Sequence, residues 1–267
     1  MMISIHQHQY WVERAGQGEP LVLLHGFTGS TSTWAPFVDN WSEHFEVICI
    51  DLPGHGKTNV NGEFSMESTC EDLHVLLKQL GYRKVHLLGY SLGGRAALSF
   101  ACLYPNDVSS LILESSSPGL WTKEERVSRI QHDEALARRI ENEGIESFVD
   151  FWANIPMFET QKRLSLKVQE QVRQERLNQT AKGLASSLRY MGTGAQPSWW
   201  DDLKQLHMPT LLLSGELDQK FTKLNQAMVD VIPNASHKVV KDAGHAIHVE
   251  KLQIFDKIVC DFILHNE

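Results

Sequence analysis

Short apolar runs bounded by Gly, Pro or Asp recur along the chain. They show little polar alternation, which is the pattern of a strand that is covered on both faces. Strands of this kind are typical of parallel sheets with helices on both sides. The pattern predicts buried strands at residues 21–24, 47–50, 85–88, 111–113 and 210–213.

Helical patterns lie between these runs, with apolar residues spaced three and four positions apart. The clearest are at residues 66–80 and 92–103. Strand and helix therefore alternate, and this order predicts an α/β fold with a mostly parallel central sheet flanked by helices. Residues 3–14 precede the first buried run and are predicted to form an antiparallel hairpin.

The alternation stops after Glu114 and resumes at Pro209. Between these positions the sequence is largely charged and helix-forming, most clearly at residues 123–142 and 161–177. Clusters of Ser, Gly and Pro flank the interval and are typical of loops. We therefore expect a helical cap that is inserted into the core. In this division the core consists of residues 1–117 and 198–267, and the cap of residues 118–197.

The 267-residue chain has a formal net charge of −8, with 42% apolar and 22% charged residues. This composition is ordinary for a globular protein, and the negative charge disfavours a general nucleic-acid binder, which needs a basic surface. The first residues lack the basic segment and apolar run of a secretory signal, and no apolar stretch is long enough to cross a bilayer. We expect a cytoplasmic protein without nucleic-acid or membrane partners. Its oligomeric state is left open.

Neither the cysteines nor the histidines form a metal-binding pattern. Cys49, Cys70, Cys102 and Cys260 lie far apart without a C-x-x-C pair, which is typical of reduced thiols that serve in packing. The 13 histidines include no H-E-x-x-H or comparable ligand spacing. No metal site is therefore expected.

The motif Gly89-Tyr90-Ser91-Leu92-Gly93 indicates a catalytic serine. It lies between a predicted strand and a predicted helix, which is the context of a nucleophile elbow. The glycines permit a tight turn that lifts the Ser91 hydroxyl above the end of the sheet. The helix N-terminus behind it places backbone N–H groups near developing negative charge. A serine in an ordinary strand-to-helix turn is the alternative.

A catalytic serine needs a base with a pKa near neutrality, and a carboxylate that fixes the tautomer of that base. Downstream of Ser91 the chain supplies the acid first and the histidine second. Asp218 comes just after the last predicted strand, and Glu216 is close enough to compete. His245 follows a further apolar run, with His248 as a nearby alternative. The expected triad is Ser91, Asp218 and His245.

A second motif, His25-Gly26-Phe27, directly follows the first buried run. In a fold with a nucleophile elbow, the amide after this glycine and the amide after the nucleophile form an oxyanion hole. The amides of Phe27 and Leu92 are therefore expected to stabilise an oxyanion, although their side chains could equally belong to the core. Residues 51–56 are expected to form a structural loop beside the site.

Arg95 lies four residues after Ser91 on the same predicted helix, so both side chains are expected on one face. Burying an unpaired guanidinium costs several kcal/mol, and a pocket for neutral substrates has no use for it. An anionic substrate would supply the missing partner. A structural carboxylate paired with Arg95 is the alternative.

Four motifs together resemble the α/β-hydrolase superfamily over nearly the whole chain: H-G-F, D-L-P-G-H-G, G-Y-S-L-G-G and A-G-H. These motifs identify the fold and not the reaction. Residues 89–95, 117–120, 124–126, 151–158 and 218–221 resemble one branch of the superfamily, the 2-succinyl-6-hydroxy-2,4-cyclohexadiene-1-carboxylate (SHCHC) synthases of menaquinone biosynthesis. This resemblance implies a substrate pocket formed by Tyr90, Arg95, Arg126, Trp152, Arg176 and Lys220.

Arg173 is an alternative to Arg176 in that pocket. Taken without the resemblance, arginines on charged cap helices such as Arg126 and Arg176 more often lie on a solvated surface.

The resemblance implies a carbon–oxygen lyase that eliminates pyruvate from 2-succinyl-5-enolpyruvyl-6-hydroxy-3-cyclohexene-1-carboxylate. This substrate is a small-molecule tricarboxylate, and carboxylates suit arginine forks. In this hypothesis Ser91 and His245 act as a base, and neither a metal nor an organic cofactor is needed. A serine hydrolase on an anionic substrate is the alternative within the fold: a carboxylesterase, a thioesterase or a carbon–carbon bond hydrolase. A ligand receptor without turnover is a third possibility, which the complete candidate triad disfavours.

Overall fold

The computed structural model describes residues 1–265, whose strands are β1 (Met2–Ile5), β2 (His8–Ala15), β3 (Glu19–Leu24), β4 (Phe45–Ile50), β5 (Val85–Tyr90), β6 (Val108–Glu114), β7 (Thr210–Gly215) and β8 (Ala235–Val240). Within this part of the chain they form one eight-stranded sheet in the order β1-β2-β4-β3-β5-β6-β7-β8. β2 pairs antiparallel with β1 and β4, and the remaining neighbours pair parallel. The predicted α/β class with a mostly parallel sheet is confirmed.

Each predicted buried run lies inside an observed strand, and the predicted hairpin is formed by β1 and β2. β5 and β7 are buried along their whole length. Helices cover both of their faces, which is why the sequence of these strands lacks polar alternation.

The helices of the described residues are α1 (Ala35–Trp41), α2 (Met66–Gln79), α3 (Leu92–Leu103), α4 (Lys123–Ala153), α5 (Leu166–Leu177), α6 (Ala181–Met191), α7 (Gln219–Val229), α8 (Ile247–Glu250) and α9 (Leu252–Leu264). Two apolar clusters fill the space between helices and sheet. One joins Leu73 of α2 to Leu98 of α3, and the other joins Phe37 of α1 to Phe255 of α9. The two clusters cover opposite faces of the sheet, since side chains alternate between faces along each strand.

α4, α5 and α6 lie between β6 and β7 in the chain, in the interval for which a helical cap is predicted. The segment between β6 and β7 that contains these three helices is called the cap. Ile140 and Phe148 of α4 pack with Leu184 and Leu188 of α6 in a third apolar cluster. The exact division of the chain at residues 118 and 197 stays a prediction.

The cap helices differ from their predicted bounds in two places. α4 continues past residue 142 to Ala153, with a kink at Gly144, where φ is +80°. The helix predicted at residues 161–177 is divided, because a 3₁₀ helix ends at Arg163 and α5 begins only after Ser165. The Ser165 hydroxyl accepts a hydrogen bond from the Val168 amide and so caps α5.

The register of the parallel strands brings their carboxyl ends to one edge of the sheet. Leu24 lies beside Gly89, Tyr90 beside Glu114, and Gly215 beside Val240. The loops that leave β3, β5, β7 and β8 at this edge carry the sequence-predicted residues Phe27, Ser91, Asp218 and His245. No helix within residues 1–265 is both long and apolar enough to span a membrane.

Candidate active site

Ser91 lies in the tight turn between β5 and α3. Its backbone has φ +49° and ψ −105°, a conformation that L-residues seldom adopt. Close backbone packing holds this turn, since a Cβ on Gly89 would overlap the Gly93 carbonyl and a Cβ on Gly93 would overlap the Leu24 carbonyl. The glycines on either side of Ser91 are therefore required by sterics, as a nucleophile elbow demands.

The structure brings Ser91, His245 and Asp218 into one hydrogen-bonded chain. His245 Nε2 lies 3.1 Å from Ser91 Oγ, and His245 Nδ1 lies 2.7 Å from Asp218 Oδ2. The His245 side chain is almost fully buried. This geometry allows the imidazole to exchange a proton with the serine hydroxyl while the carboxylate fixes its orientation.

The two rivals of the predicted triad members have other partners. Glu216 accepts a hydrogen bond from the backbone amide of Asp242. His248 is buried and lies 2.8 Å from a carboxylate oxygen of Glu114. Neither rival is joined by a hydrogen bond to Ser91.

The loop that carries His245 is fixed by Glu250. The Glu250 carboxylate accepts hydrogen bonds from the Gly244 amide, at 2.7 Å, and from the Thr160 hydroxyl, at 2.9 Å. Thr160 belongs to the cap, so the cap contributes to the position of the loop. The ring of Phe221 packs against the imidazole, with the ring centroids 4.8 Å apart. The imidazole therefore has little freedom to leave Ser91.

The amides of Phe27 and Leu92 are available for an oxyanion. Both residues line one cavity together with Ser91. Neither N–H donates a hydrogen bond to an acceptor in residues 1–265. Leu92 opens α3, where the helix leaves its first amides without intrahelical partners. Two unpaired donors in residues that line the same cavity as Ser91 suit the stabilisation of an oxygen that becomes negative.

The cavity that Ser91, Phe27 and Leu92 line, which is the main cavity of this site, encloses about 290 Å³ between core and cap. Core and cap both contribute polar side chains to its wall. The hydroxyls of Ser115, Ser116 and Ser187 and the indole N–H of Trp152 are buried there without a hydrogen-bond partner among the described residues. Buried polar groups are normally paired, so these atoms suit contacts with a polar ligand.

Arg95 lines the main cavity and has neutral partners. Its Nη1 donates to the Met191 carbonyl at 2.7 Å and to Gln196 Oε1 at 2.5 Å. Burial, reinforced by the nearby Arg129 guanidinium, lowers the pKa of Arg95 to about 9. No ion pair joins Arg95 to a carboxylate within residues 1–265, so its positive charge is available to an anionic ligand.

Arg126 and Arg129 lie one turn apart on α4 but face different surroundings. Arg126 donates to the backbone carbonyls of Gly194 and Ala195, and it does not line the main cavity. Arg129, which the sequence reasoning missed, lines the cavity instead. The only sequence feature that could identify Arg129 is the helical periodicity of α4, and this periodicity does not show which face of the helix packs against the core.

Arg129 is held by a carboxylate on its own helix. Its Nε donates to Asp133 Oδ1 at 2.7 Å, and the Asp133 side chain is buried. The ion pair with Asp133 uses Nε of Arg129. The two terminal nitrogens of a guanidinium are further donors, so Arg129 has more donors than this ion pair uses.

Arg176 and Tyr90 line a second, smaller cavity of about 40 Å³, which shares Phe27 with the main one. The Arg176 guanidinium lies 4.5 Å from the centroid of the Phe158 ring, and its Nη2 donates to Gln161 Oε1. Burial lowers the pKa of Arg176. Arg173, the alternative, is partly exposed and pairs with Asp150.

Lys220 and Trp152 both line the main cavity. Burial lowers the pKa of the Lys220 ammonium, and the Arg129 charge lowers it further. The cavity therefore contains cations from the core, Arg95 and Lys220, and one from the cap, Arg129.

A profile of the α/β-hydrolase fold family matches residues 19–252. The chain belongs to the α/β-hydrolase fold family. This α/β-hydrolase is 44% identical to the putative SHCHC synthase of Bacillus subtilis (strain 168), over 94% of this chain and 92% of that protein. It is 33% identical to the SHCHC synthase of Photorhabdus laumondii, over 91% of this chain and 84% of that protein.

Among solved structures, this α/β-hydrolase is similar to MenH from S. aureus. The two superpose with a TM-score of 0.92 and 36% identity, over 96% of this chain and 98% of the other. The match covers nearly all of both chains and therefore includes the cap as well as the core.

Proposed function

We propose that this α/β-hydrolase is an SHCHC synthase. It eliminates pyruvate from 2-succinyl-5-enolpyruvyl-6-hydroxy-3-cyclohexene-1-carboxylate in menaquinone biosynthesis. The observation that carries the proposal is Arg95, a guanidinium with neutral partners that shares a cavity with Ser91. Relatives with this name match the chain over nearly its whole length, which supports the same conclusion.

In the proposed reaction the Ser91–His245 pair acts as a base. The serine oxygen removes the ring proton next to the succinyl ketone, and the proton of its own hydroxyl passes to His245 Nε2. The electron pair of the broken C–H bond moves through the ring double bond and breaks the C–O bond of the enolpyruvyl ether. The departing enolpyruvate takes up a proton and becomes pyruvate, so the reaction needs neither water nor an oxidant.

The amides of Phe27 and Leu92 would stabilise the enolate oxygen that forms when the proton leaves. Preorganised amide donors are effective here because they need no reorientation when the charge develops. The Asp218 carboxylate would stabilise the imidazolium form of His245 during the same step.

In this proposal the three carboxylates of the substrate pair with cations around the two cavities. We assign this role to Arg95, Lys220 and Arg129 in the main cavity and to Arg176 in the second one, with Tyr90 and Trp152 as further contacts. Arg129 replaces Arg126 in this proposal, since Arg129 lines the main cavity and Arg126 does not. Charge-assisted bonds from arginine to carboxylate are among the strongest hydrogen bonds in proteins.

The test is pyruvate release from the enolpyruvyl tricarboxylate, followed by coupled reduction with lactate dehydrogenase. We expect rapid release by the wild-type protein and a loss of at least about a thousandfold in Ser91→Ala. Ser147→Ala, on the exposed face of α4, is the control and should match the wild type. Full activity of Ser91→Ala would refute the assigned base.

The same triad would also support a serine hydrolase, in which Ser91 attacks a carbonyl carbon. Absence of pyruvate release, together with hydrolysis of carboxyl esters or thioesters that requires Ser91, would move the function to this alternative. The assignment of Ser91, His245 and Asp218 would stand in that case.

A further inference from the structure

The turn that carries the Phe27 amide has an unfavourable backbone conformation. It spans residues 26–29 and is closed by a hydrogen bond of 3.0 Å from the Gly29 amide to the Gly26 carbonyl. Thr28 within it has φ +72°, which is rare for a β-branched residue. A conformation of this kind persists only when the surrounding structure holds it.

The cap supplies contacts that hold this turn at its exit. Glu175 of α5 accepts hydrogen bonds through Oε1 from the Ser30 amide at 3.2 Å, the Ser32 hydroxyl at 3.0 Å and the Thr33 hydroxyl at 2.5 Å. Three donors converge on one carboxylate oxygen. Because Ser30 directly follows the strained turn, this contact fixes the direction in which the chain leaves it.

Gln179, just beyond the end of α5, holds the turn from a second side. Its Nε2 donates to the Gly29 carbonyl at 3.1 Å, and its Oε1 accepts from the Gly56 amide at 2.9 Å. The Gln179 side chain is buried. One amide group therefore joins the turn to the loop at residues 51–56, which is expected from the sequence only to border the site.

We propose that Glu175 and Gln179 are positioning residues that hold the strained turn, so that the Phe27 amide points at the developing oxyanion. This inference rests on the proposed function in one respect, namely that the Phe27 amide stabilises the enolate. The two residues form a cap latch, defined here as the side chains of Glu175 and Gln179 with their contacts to residues 29–33 and 56. The latch makes the oxyanion site complete only when α5 is docked on the core.

The experiment compares Glu175→Ala and Gln179→Ala with Glu170→Ala, using pyruvate release at saturating and limiting substrate. Glu170 is an exposed carboxylate on the same helix as Glu175, and within residues 1–265 its side chain accepts a hydrogen bond from Gln174 alone, so Glu170→Ala should match the wild type. Loss of one oxyanion donor lowers kcat by about a hundredfold or more. We therefore expect kcat to fall at least about tenfold in the two latch variants, with KM within about threefold of the wild type.

Two further variants separate positioning from a general loss of structure. Glu175→Gln keeps an acceptor oxygen and should recover most of the activity. Thr28→Gly removes the Cβ that opposes φ +72°, so the turn should keep its shape without the latch. The double variant Thr28→Gly with Glu175→Ala should therefore regain part of the kcat that Glu175→Ala loses. Thermal unfolding of each variant verifies that it is folded at the assay temperature.

A kcat of Glu175→Ala and Gln179→Ala equal to that of Glu170→Ala would overturn the latch. A rise in KM alone would overturn it as well, since it would indicate an effect on the neighbouring Arg176 rather than on the amide. If the wild-type protein releases no pyruvate, the proposed function fails, and the latch is tested by the rate at which a fluorophosphonate labels Ser91. Phosphylation of Ser91 uses the same amides, so slower labelling of the latch variants supports the latch and unchanged labelling refutes it.

Discussion

Arg95 shows how a single side chain determines what a cavity can bind. A guanidinium bonded to a carbonyl and an amide oxygen keeps its full attraction for an anion, whereas in one paired with a carboxylate part of that attraction is already offset. The first arrangement is the one observed, with Met191 and Gln196 as acceptors. An anion that enters the cavity therefore gains a charged partner that is already in place.

Removal of Arg95 should impair the elimination. A hydrogen bond to a charged group contributes about 1.5–3 kcal/mol, so we expect kcat/KM of Arg95→Ala to fall by roughly tenfold to a hundredfold or more. Steady-state pyruvate release measures this, with Arg138→Ala on the exposed face of α4 as the control. Unchanged turnover by Arg95→Ala would refute the assignment of Arg95 to an anion-binding pocket.

Substrate binding should weaken at alkaline pH. Below the Arg95 pKa of about 9 the guanidinium is charged and attracts carboxylates, and above it this attraction is lost. KM should therefore rise between pH 8 and pH 10, and this rise should be smaller in Arg95→Ala, in which Lys220 with its lowered pKa still contributes. A KM that stays flat to pH 10 in the wild type would contradict the assignment.

The lowered pKa of Arg95 has the opposite effect on stability, which should rise with pH in the range where substrate binding weakens. Between pH about 9 and the ordinary arginine pKa, the unfolded chain keeps a proton that the folded chain has released. The contribution of Arg95 to the free energy of unfolding therefore increases with pH in that window.

At the scale of elements, α4 decides which arginine reaches the substrate. Positions three apart on a helix are neighbours along its axis yet differ by about 60° in direction, given 3.6 residues per turn. The face of α4 that packs against α6 is set by Ile140 and Phe148. This packing places Arg129 at the cavity and directs Arg126 to the carbonyls of Gly194 and Ala195.

The two arginines of α4 offer a matched pair for mutation. Arg129→Ala should raise KM by about tenfold or more, since it removes a cation from the cavity wall. It should also lower the stability, because it leaves the buried Asp133 carboxylate without its ion pair. Arg126→Ala should leave KM within about twofold and lower only the stability of the loop at residues 192–196. Steady-state kinetics and thermal unfolding distinguish the two effects. The reverse pattern would show that Arg126 contacts the substrate.

At the scale of the whole molecule, the main cavity is formed jointly by cap and core. Arg95 and Lys220 come from the core, and Arg129 and Trp152 from the cap. A tricarboxylate that contacts both parts should hold them together. It should also relieve the mutual repulsion of the cations that surround it.

Ligand binding should therefore stabilise the fold. The enolpyruvyl tricarboxylate added to Ser91→Ala, which does not turn it over, should raise the free energy of unfolding by about 2.7 kcal/mol at 100 times its dissociation constant. Thermal unfolding with and without the ligand measures this shift. The double variant Ser91→Ala with Arg95→Ala should show a much smaller shift at the same concentration. Equal shifts in the two proteins would place the ligand elsewhere.

Local sequence signals predicted most of the core. The buried runs are visible because strands covered on both faces need uninterrupted apolar residues, and β5 and β7 confirm this. The turn at Ser91 is visible because only glycine fits where Gly89 and Gly93 meet neighbouring backbone. The break between the 3₁₀ helix and α5 was missed, since the charged sequence at residues 161–177 favours helix throughout.

The sequence by itself determined the α/β class, the strand positions and the elbow at Ser91. Strands that are buried on both faces need uninterrupted apolar runs, and positions without room for a Cβ need glycine, so both are visible in the local sequence. Tertiary structure alone decided which of two nearby residues faces a partner: His245 rather than His248 beside Ser91, and Arg129 rather than Arg126 in the cavity wall. These choices depend on groups far away in the chain. Glu114, which binds His248, lies 134 positions from it, and no local pattern records such a contact.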